Sequence, residues 1–120
     1  MNCKPYDING KRIVSLNDED ILIADSQSAL DMMMTIRYEY ESDRVILKKN
    51  ILTEDFFDLS TGLAGEILQK FVTSQMKIAI YGDFSIYSSK ALKDFIYESN
   101  KGNSIFFAAT ESKALEILGN

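Results

Sequence analysis

Apolar positions along this chain fall into two recurring patterns. In Leu63, Ala64, Ile67, Leu68, Phe71 and Val72 they return at i, i+1, i+4, i+5, i+8 and i+9, the stripe of a helix buried on one face. Shorter versions recur in Ala91, Leu92, Phe95 and Ile96, and in Ala114, Leu115, Ile117 and Leu118. A broader face of Ala29, Leu30, Met33, Ile36, Arg37 and Tyr40 predicts a further helix from Asp25 or Ser26 to about residue 40. Between these stretches lie short continuous runs, Val45-Ile46-Leu47, Ile78-Ala79-Ile80 and Ile105-Phe106-Phe107-Ala108, of the kind that suit strands buried on both faces.

The N-terminal segment follows a different rule. Asn9-Gly10 sits between two extended stretches and is the pair a two-residue type I′ hairpin requires, because both turn positions need positive φ. Pro5 lacks an amide hydrogen, which places the first of these strands at a sheet edge. Ile21-Leu22-Ile23 reads equally as a short extended segment or as an apolar loop packed on the core. From Val45 onward strand and helix alternate with short connections, so crossovers are right-handed and the sheet mainly parallel. The expectation is an α/β fold, a single domain whose predominantly parallel sheet opens with an antiparallel hairpin and is covered by about four helices. Residues 45–47 and 78–81 should be adjacent in that sheet.

Composition narrows the function classes. With 120 residues, 46% of them hydrophobic, the chain has enough apolar surface for one core and too little for two. The single cysteine, Cys3, can form no internal disulfide, and the absence of histidine removes a histidine-dependent zinc site or hydrolase. No cofactor or metal is expected. No apolar run approaches the ~20 residues of a membrane span, and no signal-peptide core is visible, so a cytoplasmic location without membrane association is expected. A net charge of −5 opposes sequence-independent binding to phosphate backbones, which makes nucleic acid an unexpected partner.

Candidate chemistry collects where the parallel strands end, the edge at which open α/β sheets place ligands. One strand is followed by Lys48, Lys49, Asn50, Thr53, Glu54 and Asp55, the next by Gly82, Asp83, Phe84 and Ser85, and the last by Thr110 and Glu111. Asp58, Ser60 and Thr61 precede the best-patterned helix, where Ser60 or Thr61 is the natural N-cap and free amides favour anions. Gly62 and Gly65 are unexpected there, since each costs about 1 kcal/mol against Ala within a helix. Close approach of another backbone or a ligand is what would offset that cost. Phe56-Phe57, Phe84 and Tyr87 form either an exposed aromatic surface or a buried cluster. Met32-Met33-Met34 is either gap-filling core or an adaptable partner surface. No Gly-rich phosphate loop or dinucleotide fingerprint is present.

Over nearly its whole length the sequence resembles a family of small bacterial proteins catalogued as domain of unknown function 4180. The likeness runs through Asp55-Phe56-Phe57-Asp58-Leu59-Ser60-Thr61-Gly62-Leu63-Ala64-Gly65-Glu66, Gly82-Asp83-Phe84-Ser85 and Asp94-Phe95-Ile96-Tyr97-Glu98-Ser99-Asn100. That resemblance implies no activity. Asp58-Leu59-Ser60-Thr61-Gly62-Leu63 is also similar to the Asp-Ser-Ser-Gly-Leu-like motif of anti-sigma-factor antagonist (STAS) domains, whose serine is the target of a partner kinase. There is an added residue after the aspartate, and an acidic aromatic segment separates the motif from its strand. The STAS likeness implies a regulatory module that binds a protein partner. Taken with the strand-end loops and the small residues of the helix turn, the expectation is a non-enzymatic module with a surface of Asp58, Ser60, Thr61, Gly62, Gly65, Asp83, Phe84 and Ser85 and no catalytic residues. The competing expectation is a small-molecule or anion-binding domain using the loops at the strand ends, or a small hydrolase or transferase there with Asp58 or Asp83 holding a borrowed metal such as magnesium. Self-association is left open.

Overall fold

Asn9 and Gly10, at φ 53° and 78°, form the tight turn their sequence requires, joining β1 (Cys3–Ile8) to β2 (Lys11–Leu16) in antiparallel register. The computed structural model describes residues 2–120. After the hairpin come α1 (Ser26–Tyr40), β3 (Arg44–Lys48), α2 (Leu63–Thr73), β4 (Lys77–Tyr81), α3 (Lys90–Asn100), β5 (Ile105–Ala108) and α4 (Glu111–Leu118). Three short 3-10 turns, Lys49–Ile51, Glu54–Phe57 and Leu59–Thr61, fill the connection from β3 to α2.

The five strands lie in the order β1-β2-β3-β4-β5, with β2 to β5 parallel, and β3 pairs β4 along its full length. This is the expected fold: one α/β domain, mostly parallel, with an antiparallel hairpin at one edge and four helices. Pro5 lies on the edge strand, where its missing donor interrupts no ladder. Ile23 resolves as a fully buried residue making a single parallel bridge to Leu52.

Alternation along the strands divides the core in two. Val14, Leu16, Val45, Leu47, Ile78, Ile80 and Phe107 face the layer formed by α1, α2 and Leu92 of α3, while Ile13, Ile46, Ala79 and Ala108 face α4. Each crossover steps one strand in the same direction, so crossovers of one hand leave their helices on one face. Two consequences bear on function. The strand order never reverses, so the sheet has no switch point at which a ligand crevice opens. And because each of these helices runs back against the parallel strands, helix N-termini gather at the carboxyl rim of the sheet and C-termini at the amino rim.

The first turn of α1 is a full capping box, in which the Asp25 carboxylate accepts from the Ser28 N–H and the Ser28 hydroxyl answers at the Asp25 backbone. The methionine run is split by the helix period. Met32 and Met33 are buried, and Met34 is 58% exposed.

Candidate functional site

Two loops at the carboxyl rim share one construction. The Asp58 carboxylate accepts from the Ser60 N–H (3.1 Å) and the Ser60 hydroxyl (2.6 Å), and the Asp83 carboxylate accepts from the Ser85 N–H (2.9 Å) and the Ser85 hydroxyl (2.5 Å). Each is an Asp-x-Ser turn in which the side chain takes the place of a backbone acceptor. In both, the hydroxyl and then the amide of the serine hold the carboxyl below the usual aspartate range. The middle residues, Leu59 and Phe84, pack against the core, while the serines are exposed.

This geometry corrects the expected role of Ser60 and Thr61. Neither is the N-cap of α2. That position belongs to Gly62 at φ +76°, a left-handed conformation L side chains resist, and Ser60 and Thr61 lie in the 3-10 turn that precedes it. Asp58 has captured the Ser60 hydroxyl, and local bonds of that kind compete with helix capping. Thr61 packs its hydroxyl against the Asp55 and Asp58 carbonyls (2.9 and 2.8 Å) and accepts from the Leu63 N–H at 3.2 Å. Gly65 differs from Gly62. It has an ordinary helical backbone and lies exposed, and a β-carbon built there would meet nothing within 4 Å. No contact among the described residues offsets its cost to the helix.

Aromatic rings join the two loops. Phe57 stacks on Tyr87 with centroids 5.2 Å apart and lies 6.1 Å from Phe84, which meets Phe107 edge-on at 5.4 Å. Phe56 and Phe57 are buried and Phe84 half-buried, so the aromatic residues form a cluster turned inward. Lys49 lies over both the Phe57 and Tyr87 rings, at 5.3 and 4.9 Å, and its ammonium is 3.5 Å from Glu54. The Tyr87 hydroxyl donates to the same carboxylate. Gly82 completes the cluster: its β-carbon would come within 2.8 Å of Lys49 Cβ, so only glycine lets the two backbones approach.

A lysine and a tyrosine at the ends of parallel strands invite a catalytic reading, and their electrostatics oppose it. Burial alone would lower Lys49, but Tyr87 and Glu54 carry it above its ordinary value. Burial pushes the Tyr87 phenol up, against the pull of Lys49. At neutral pH the amine is charged and the phenol neutral, the reverse of what a nucleophilic lysine or a tyrosine base requires. Among the described residues no three Asp, Glu or Cys side chains converge on a metal position.

Sequence reasoning singles out neither Ile86 nor the amino rim. Ile86 projects from the loop after Ser85 and is 64% exposed. At the amino rim a cavity of about 560 Å³ is lined by all three of the chain's arginines. Each guanidinium donates to a carbonyl at the end of a different helix: Arg12 to Tyr40 of α1, Arg37 to Ser74 after α2, and Arg44 to Leu118 of α4. Cations there answer the negative ends of three helix dipoles.

A single-wound parallel sheet with a hairpin edge and a rim built from capping loops defines a small α/β domain without a switch-point crevice. More specifically, the chain belongs to the family described as domain of unknown function (DUF4180), whose model matches residues 8–118. No curated protein and no solved structure matches it. No helix of the described residues is long and apolar enough to cross a membrane.

Proposed function

We propose that this domain is a non-enzymatic regulatory module of STAS-like type, which binds a protein partner through the carboxyl rim at Asp58, Ser60, Thr61, Gly62, Gly65, Asp83 and Ser85, with Phe84 holding the second loop in place. The observation that carries this reading is Gly65. A bare glycine on the exposed face of α2 costs about 1 kcal/mol, and a surface pressed against the first turn of the helix is what would return it. The ring contacts among Phe57, Phe84 and Tyr87 support the same reading, because they hold the two loops as one preformed surface and little ordering entropy is lost on docking. Ile86 supplies an exposed apolar anchor amid carboxylates and hydroxyls, the arrangement of an interface centre with a polar rim.

Regulation at Ser60 takes a different form from the one a capping serine implies. A phosphate on Ser60 would displace its hydrogen bond to Asp58 and set ~1.5–2 negative charges beside that carboxylate, so it would open the Asp-x-Ser turn. The binding surface itself would change shape, and the buried aromatic cluster beneath it would not.

The test is photo-crosslinking in the native cell. A photoreactive residue at Glu66, exposed beside Gly65, should give a discrete protein adduct, and Gly65→Arg should remove it. The same residue at Asp43, on the amino rim, should give none. Absence of an adduct at position 66, or equal adducts at both positions, would overturn the reading.

A further inference from the structure

Helix α1 has an apolar face to spare. Ala29, Met32, Met33 and Ile36 are buried against the sheet, yet Leu30, Met34 and Tyr38 form a second stripe at i, i+4 and i+8, with Met34 58% and Tyr38 76% exposed. Leu30 is half-buried, with part of its side chain packed on the core, so the free part of the stripe is mostly Met34 and Tyr38; in sequence the stripe is nevertheless symmetric about its centre. Four residues either side of Met34 stand the apolar Leu30 and Tyr38, and three residues either side stand the opposite charges Asp31 and Arg37. That order is self-complementary. In an antiparallel pair of identical helices related by a two-fold axis at Met34, Leu30 of one copy lies level with Tyr38 of the other, and Asp31 lies level with Arg37. An unrelated partner would require no such symmetry.

We infer that the chain forms a two-fold homodimer through α1, with the two Met34 side chains meeting on the axis. The groups flanking the axis keep capacity for it. Asp31 spends one carboxylate oxygen on Gln27 and Arg37 one N–H on the Ser74 carbonyl, and both residues are exposed, so an oxygen and several donors are left for a partner. A shallow cavity of about 250 Å³, bounded by Leu30, Met34 and Tyr38 on one side and Ser74 on the other, receives the second copy's ridge. Methionine suits such an axis because its unbranched side chain adapts to its own image. Two 15-residue helices offer a strip about 22 Å long and about 10 Å wide, roughly 440 Å² over both copies, well short of the ~1,200 Å² of a standard stable interface, so the dimer is weak and concentration-dependent. The inference is independent of the carboxyl-rim reading.

Sedimentation of the wild type from about 10 to 500 μM should show the average mass rising toward twice the monomer, a range that brackets a dissociation constant of about 100 μM. Met34→Asp should remain monomeric throughout, with an unchanged melting temperature, because the side chain it replaces is exposed. In a Cys3→Ser background, Met34→Cys should oxidise to a covalent dimer, since a two-fold axis brings the two β-carbons within disulfide reach. Glu39→Cys, on α1 but turned away from the stripe, should not. A wild type that stays monomeric, a Met34→Asp variant that associates equally well, or equal cross-linking at positions 34 and 39 would overturn the inference.

Discussion

The two rims of the sheet are built from opposite chemistry, and the contrast separates scaffold from surface. At the amino rim, Arg12, Arg37 and Arg44 each close the end of a different helix, and Asn9 at the hairpin tip donates to Gly119 at 2.8 Å. Every one of these polar groups answers a backbone carbonyl that a helix terminus leaves open. At the carboxyl rim, Asp25, Ser89 and Thr110 do the equivalent work for α1, α3 and α4, each accepting from an amide of the first turn. α2 breaks the pattern. Its cap is a glycine, its third residue is an exposed glycine, and the Ser60 hydroxyl is bonded to Asp58, while among the helix amides that of Thr61 reaches only Leu63. Where polar residues close helix ends, the fold explains them; around the start of α2 it leaves a remainder.

The contrast can be broken from either side. The largest effect is expected at the amino rim, where Arg44→Met keeps the packed stem but leaves the Leu118 carbonyl without its charged donor. About 2 kcal/mol of stability should be lost, read as a lower urea midpoint, with adduct formation at position 66 unchanged on the folded protein. Next comes Gly65→Ala, which should raise stability by about 1 kcal/mol, because the new methyl group meets open space and improves the helix. A loss of stability there would show that the glycine serves the fold. Ser60→Ala should change stability by less than about 0.5 kcal/mol, since the Asp58 carboxylate still accepts the residue-60 amide; a true N-cap would cost about 1 kcal/mol.

The smallest effect is on acid stability, because the carboxylates concerned are exposed. Asp25, Asp58 and Asp83 are held below the usual range by serine hydroxyls and amides. Their contribution is therefore complete above the unfolded value near 3.9 and is lost as pH falls through the lower folded values. Amide exchange below about pH 4 should rise first in the loops holding Ser60 and Ser85. The amino rim has one carboxyl lowered in the same direction, Asp7, held down by the guanidinium of Arg12.

Much of this frame was legible in the residues. Asn9-Gly10 announces its turn because few pairs tolerate positive φ twice, and the runs at 45–47 and 78–80 announce buried strands because nothing polar interrupts them. The start of α2 was not legible, because Ser60 looks like a cap until the Asp58 carboxylate is seen to hold it. Glu66 and Lys70 have the spacing of a helix ion pair, whereas the pairs formed within helices are Lys90–Asp94 and Lys113–Glu116. The Lys49–Gly82 approach joins residues 33 positions apart, and no local period reports such a contact. The repeat of Asp-x-Ser at 58–60 and 83–85 was visible in the letters, but its meaning depends on ring contacts that bring the loops together.

The central claim is that the amino rim serves the fold and the start of α2 serves a partner. The most direct measurement is saturation mutagenesis of both rims, with folded abundance and adduct formation at position 66 scored for the same variants. At Arg12, Arg37 and Arg44 the two readouts should fall together. At Ser60, Gly65, Ser85 and Ile86 abundance should hold or rise while the adduct is lost. Loss of the adduct at these four positions only in proportion to loss of folded protein would contradict the account.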